Sequence, residues 1–121
     1  LSQDFIPVLY TSREIVSPLD NNDLIQFQLF LATFISEIVS AIKNDIGYLI
    51  SKGGITTNTI ISEGLEADVV YLEGQILPGI SLVTFNLLRQ KGKLPIVTFP
   101  GNIGNNMSLV KALEIIENKN F

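Results

Sequence analysis

The chain contains no cysteine and no histidine. Without cysteine there is no disulfide framework and no thiolate metal site, and the composition suits a reducing cytoplasm. Without histidine, a Ser-His-Asp triad, a His-based zinc site and imidazole acid–base chemistry are all excluded within these residues. Basic residues are few. Eight Lys and Arg stand against twelve Asp and Glu, for a net charge of −4 and a pI near 4.6. The eight are scattered, so no nucleic-acid footprint forms and no nucleic-acid partner is expected. No secretory signal pattern is read at the start.

Apolar residues are what the chain has in excess. They make up 46% of it, with a mean hydropathy of +0.37, more than an ordinary soluble domain carries. The 121 residues suit a single domain with one core. The surplus implies either a surface covered by a partner or the interior part of a larger protein. The second reading is preferred, because residue 1 is not Met and lies close to an apparent strand, so the chain is expected to be a fragment. The most membrane-like stretch, residues 24–42, carries Glu37 and a polar stripe of Gln26, Thr33, Glu37, Ser40 and Asn44. A bilayer span needs about 20 mostly apolar residues, and the uncharged run stops at Ser36. A buried amphipathic helix of a soluble, cytoplasmic protein is expected, with no membrane partner.

Residues 5–10 read as a short strand, with Pro7 marking its beginning or an edge. Residues 17–22 are a loop, and Asn21, Asn22 or Asp23 is expected to cap a helix over residues 24–43, with Phe27, Phe30 and Phe34 in the core. A strand over 46–50 leads into the glycine stretch 51–59, and Thr56 or Asn58 is expected to cap a helix to about Glu63. Gly64 is placed as its C′ residue. Residues 67–73 read as a strand covered on both faces, 74–79 as a loop, 80–88 as strand or short helix, and 90–93 as a polar turn. Residues 94–98 are the last strand. Asn105 or Asn106 is expected to cap a final helix over 107–117 with Leu109, Val110, Leu113 and Ile116 on one face. The alternation predicts an α/β layer fold, a single domain with a mostly parallel sheet.

Two glycine segments carry the candidate chemistry. Gly53, Gly54, Ile55 and Thr56 lie between an apolar run and a helix start. A phosphate needs converging N–H donors with no side chain in the way, and Gly-Gly before a helix N-terminus supplies them. The Thr56 and Thr57 hydroxyls add donors and Lys52 a positive charge. The same residues also suit a plain strand-to-helix turn. There is no Walker motif and no G-x-G-x-x-G, so neither a P-loop NTPase nor a dinucleotide fingerprint is present. The segment 100–104 follows another strand, where Gly101 would let the backbone approach a ligand, Asn102 could donate a hydrogen bond, and Gly104 closes the loop. A simple turn remains the alternative there too. The two segments are expected as neighbouring turns on one edge of one sheet. The loop 74–79 could line the same cleft, with a plain turn as its alternative, and Arg13, which follows a strand and could reach an anion, is read in preference as a solvated cation. Glu63, Glu66, Asp68 and Glu73 form no dyad, and no metal site and no catalytic residue are assigned.

Four stretches together carry a family resemblance: VLYTSRE at 8–14, ISKGGITTN at 50–58, GQILPGIS at 74–81 and VTFPGNIG at 97–104. In order and spacing they resemble the C-terminal nucleotide-binding domain of the four-carbon acid sugar kinases, which phosphorylate erythronate- and threonate-type substrates with ATP. The resemblance implies that the ATP-binding turn falls on Gly53, Gly54, Ile55 and Thr56, and a later ATP-contacting glycine on Gly101. It implies ATP and Mg²⁺ as cofactors and an acid-sugar substrate presented by an N-terminal domain that these residues do not contain. Many relatives have an acidic residue where this chain has Ile55, and Lys-x-Gly-x-Phe-Gly where it has 99–104. Alone, the chain is expected to bind nucleotide weakly and to turn over nothing. The alternatives are a non-catalytic nucleotide-sensing module and a structural assembly domain, and a homodimer is one expected form.

Overall fold

The computed structural model describes residues 5–12, 20–88 and 92–119. In chain order its elements are α1 (Asn21–Ile42), β1 (Leu49–Lys52), α2 (Gly54–Thr59), a π-helical turn (Ile60–Gly64), β2 (Tyr71–Leu77), β3 (Ile80–Leu87), β4 (Gly92–Phe99) and α3 (Ser108–Asn118). The sheet order is β1-β4-β3-β2. The α/β class is as expected, but the sheet is mixed: β1 and β4 are parallel, while β4–β3 and β3–β2 are antiparallel. Connection length explains the difference. Only Pro78 and Gly79 separate β2 from β3, far too short a link for a crossover and right for a hairpin. Gly74, at φ 137°, sits inside β2 where the register shifts, so most of the expected 74–79 loop is strand.

Side chains on β4 alternate between two cores, as a period of two requires. Val97 and Phe99 join Ile76, Ile80 and Leu82 on one face, covered by Ala112 and Ile116 of α3. Leu94 and Ile96 join Val83 on the other, covered by Val39 of α1 with Ile60 and Leu65. Pro95 is tolerated in β4 because β1 pairing begins only at Ile96, leaving a margin where no donor is required. Buried hydroxyls find partners nearby: Ser36 Oγ donates to Thr33 O at 2.7 Å, and Thr84 Oγ1 to Glu73 Oε1 at 2.7 Å.

Several expectations change. Residues 5–10 form no strand and are exposed, with no ladder to another segment. Arg13 and residues 17–19 of the expected 17–22 loop lie outside the described residues, as do residues 90 and 91 of the polar turn. Asp20 caps α1, its Oδ1 accepting from Asp23 N at 2.8 Å, because the helix already begins at Asn21 and a cap lies just outside it, two or three residues before the amide it satisfies. Gly64 is not a left-handed C′ residue; Glu66, at φ 55°, takes that conformation. A Cβ on Gly64 would come 2.7 Å from Ser36 O, so glycine is needed there for close approach to α1. The strand expected over 67–73 starts at Tyr71, and at the sheet edge Tyr71 and Leu72 are exposed rather than covered on both faces. On α3 the buried residues are Ala112 and Ile116, one turn apart, while Leu109 and Val110 are exposed.

The largest correction concerns α1. Phe27, Phe30 and Phe34 are 36%, 66% and 51% exposed, not core. At about 1.5 Å per residue, this 22-residue helix is about 33 Å long, whereas the eleven residues of α2 and the π turn reach only about half as far. Ala32, Ser36 and Val39 pack, and residues 21–30 remain uncovered. By length and composition alone α1 could cross a membrane, with a mean hydropathy of 1.6 over its most apolar window.

Candidate functional site

Parallel neighbours end at the same edge of a sheet, and the loops that follow them meet there. Lys52 stands beside Phe99 at the ends of β1 and β4, so the two glycine segments leave the sheet side by side. The β2–β3 turn lies at that edge as well, because Ser81 of the antiparallel β3 is opposite Thr98. A Cβ on Gly79 would come 3.1 Å from Ile103 Cδ1, so all three segments singled out in the sequence converge.

Gly53 precedes α2 at φ 101° and ψ 132°, a conformation that side chains other than hydrogen oppose. Its N–H donates to Phe99 O at 2.9 Å and its C=O accepts from Thr57 N at 2.9 Å, tying the turn to both β4 and α2. Gly54 opens the helix, and a Cβ there would meet open space. Ile55 is exposed and Thr56 half-buried in the first turn. Neither Thr56 nor Asn58 caps α2; both lie within it, because the turn at Gly53 starts the helix earlier. Thr57 Oγ1 lies 2.8 Å from Ser51 Oγ, which directs that hydroxyl toward β1.

A Cβ on Gly101 would stand 3.9 Å from Gly53 Cα, so the two turns touch through backbone alone. Asn102 is exposed beside it. Gly104 has φ 104°, and its Cβ position lies 3.1 Å from Ser108 Cβ. Asn105 Oδ1 then accepts from Met107 N at 2.9 Å, so Asn105 supports the start of α3 from outside it, partly as expected.

Lys52 is the residue that reading along the chain undervalued. Its Nζ donates to Pro100 O at 3.3 Å, Gly101 O at 3.1 Å and Ile103 O at 3.4 Å, with the Phe99 ring 5.8 Å away. An ammonium has three donors, and here they face the second glycine loop. The signal in the sequence was a lysine at the end of one parallel strand; that its neighbour's loop would fold over it depends on strand order.

At the opposite edge, Tyr48 OH donates to Glu117 Oε1 at 2.6 Å. Desolvation first, then this hydrogen bond and the carboxylate's charge, push the phenol up to about 12. The pair lines an open cleft of about 370 Å³, on the side away from the glycine turns. Glu66 pairs with Lys43 at 3.4 Å and Glu73 with Lys93 at 3.7 Å, structural roles for two carboxylates. Among the described residues no group of three or more His, Cys, Asp or Glu gathers as a metal cage.

A family model described as a nucleotide-binding C-terminal domain matches residues 2–109. Among solved structures, the chain is similar to a domain of unknown function (DUF1537) from Bordetella bronchiseptica, a domain-swapped dimer with bound citrate. In one crystal form the TM-score is 0.71 at 20% identity, covering 91% of this chain and 26% of that one. In a second form the TM-score is 0.64 at 21% identity, covering 88% and 25%. The chain thus spans about a quarter of that protein's length, and likeness at this identity establishes the fold alone. No curated protein matches.

Proposed function

The chain belongs to the nucleotide-binding C-terminal domain family, and from that premise we propose that it is the ATP-binding part of a kinase for a small four-carbon acid sugar. One observation carries the reading: two glycine turns at the ends of parallel strands meet with no side chain between them, Gly101 against Gly53. Backbone so exposed can lie against phosphate oxygens. The residues present fit a nucleotide phosphate, since Gly54 opens onto free space. Gly54, Ile55 and Thr56 would hold one side of it, with Gly53, whose N–H is already bonded to Phe99 O, giving the bare surface of the turn, and Gly101, Asn102 and Gly104 would hold the other.

Mg²⁺, brought in by the phosphates, would supply charge neutralisation of the transferred group, since such ions are held largely by substrate phosphates and water. The hydroxyl to be phosphorylated would come from a separate acid-sugar domain in a longer cytoplasmic protein. The citrate carried by the Bordetella relative is itself a small hydroxy acid, the class proposed for the substrate. The test is a Mg·ATP titration followed by amide NMR. Shifts concentrated at residues 53–57 and 101–104 are expected; saturable binding that leaves both loops unmoved would overturn the site.

A second role rests on α1, where Ile25, Leu29, Phe30 and Phe34 are exposed apolar side chains, and contiguous apolar surface of this kind marks interaction sites. The Bordetella relative is a domain-swapped dimer, and we propose that this face is covered by a second copy of the chain. Light scattering over a dilution series reads the outcome.

A further inference from the structure

We propose that Lys52 is a positioning residue of the glycine-loop site: it shapes the second loop for an anion and takes no phosphate itself. In a planar trans peptide the C=O and the N–H of the next residue point in opposite directions. The ammonium draws in the carbonyls of Pro100, Gly101 and Ile103. The amides that follow them, on Gly101, Asn102 and Gly104, are therefore turned away from Lys52. All three residues are exposed, and two are glycines with no side chain to screen the N–H. Gly101 and Asn102 are successive, and successive amides presented together form an anion-binding concavity. The Ile103 amide turns inward instead, donating to Pro100 O at 3.3 Å, and Gly104 adds a third outward amide beyond it.

The same geometry removes Lys52 from the list of phosphate ligands. Its donors are directed at carbonyls, and reaching a phosphate would release the loop that this contact shapes. Gly53 N–H to Phe99 O, 2.9 Å, anchors the adjacent backbone, so the lysine stands between two loops fixed at their roots. Arginine is not equivalent there. Three carbonyls converging on one nitrogen suit a compact ammonium, whereas guanidinium presents a planar fork.

This inference rests on the nucleotide reading for its ligand but not for its geometry, and the test separates the two. Lys52→Met and Lys52→Arg are made in the full chain, with thermal unfolding confirming that both fold. Backbone ¹⁵N order parameters are measured without nucleotide. In the wild type, residues 101–104 are expected near the rigid value of about 0.85, falling below about 0.6 in both variants. Mg·ATP affinity is expected to fall about tenfold in both, the scale of one lost charge-assisted interaction. Unchanged order at 101–104 in Lys52→Met would overturn the positioning role. Full affinity in Lys52→Arg with loss in Lys52→Met would make the lysine a phosphate ligand and overturn the proposal. Loosened loops with unaltered affinity would overturn the anion-facing amides. If the wild type binds no Mg·ATP, the nucleotide reading fails, and order parameters alone decide whether Lys52 shapes the loop.

Discussion

Alanine at Gly53 and alanine at Gly54 should separate fold from function in adjacent residues. At Gly53 the added Cβ would meet only Thr56 Oγ1, at 3.8 Å, an ordinary contact. The cost is therefore not steric crowding but backbone strain at φ 101°, ψ 132°. Such conformations cost a non-glycine residue about 1–3 kcal/mol. Relieving the strain by rotation would break the bond from Gly53 N–H to Phe99 O, so the penalty cannot be avoided cheaply. For a chain of this size about 2 kcal/mol corresponds to a fall in Tm of roughly 8 °C. Gly54 differs, since it begins α2 without a positive φ and its Cβ position is empty. Alanine in a helix is favoured over glycine by about 0.5–1 kcal/mol, so Gly54→Ala should hold or raise Tm by a few degrees. Its methyl would occupy the space assigned to a phosphate and weaken Mg·ATP by about tenfold or more, which is about 1.4 kcal/mol or more. Calorimetric titration with parallel thermal melts reads both quantities. Unaltered Mg·ATP affinity in Gly54→Ala would refute the argument that the ligand needs bare backbone at this point.

Other consequences follow from single contacts. Gly64→Ala forces a Cβ to 2.7 Å from Ser36 O, a backbone atom that cannot rotate aside; urea unfolding should show a loss of about 1–3 kcal/mol. The Tyr48 phenol is raised from 10 to about 12 in the folded chain, so the folded state keeps a proton that the unfolded state releases. The contribution is complete below pH 10 and is lost as pH rises toward 12; the stability difference between wild type and Tyr48→Phe should be flat to about pH 9 and shrink above it. Phe30→Glu, at a residue 66% exposed, should alter the stability of the dilute monomer by less than about 0.5 kcal/mol while shifting the light-scattering mass at higher concentration toward monomer. A dimer unchanged by that substitution would move the interface off α1.

The parts of the fold that were legible are those set by local chemistry. Residues 21–42 have helical spacing, the apolar runs before Gly53 and Pro100 are strands, and both glycine segments lie where strand ends meet. Strand direction was harder to read, because Gly74 and Pro78-Gly79 punctuate a single region in two places. Only the hairpin pairing of Leu77 with Ile80 reveals Gly74 as a bulge and Gly79 as the turn. The α1 aromatics show a different limit. Spacing tells that Phe27, Phe30 and Phe34 share a side of the helix, not whether anything covers it. Their exposure agrees with the hydrophobic surplus, which had already implied a covering partner or a longer protein.

The site follows the same division. Glycine is legible as a turn residue because it is chosen for what it lacks, and Gly53, Gly101 and Gly104 stand where a Cβ would strain or crowd the backbone or where two turns come within 4 Å. Lys52 is illegible for the opposite reason. Its partners are carbonyls about 50 positions later, and a carbonyl is present at every residue, so no pattern of side chains announces it. A candidate site built from backbone is therefore read most easily at its glycines and least easily at a lysine that bonds only to its carbonyls. Ile55 shows why this matters. In a site that relied on side chains, an apolar residue in the first turn of α2 would argue for lost function. Here the helix start is set by the backbone of Gly53 and Gly54, so residue 55 can vary without disturbing the amides around it.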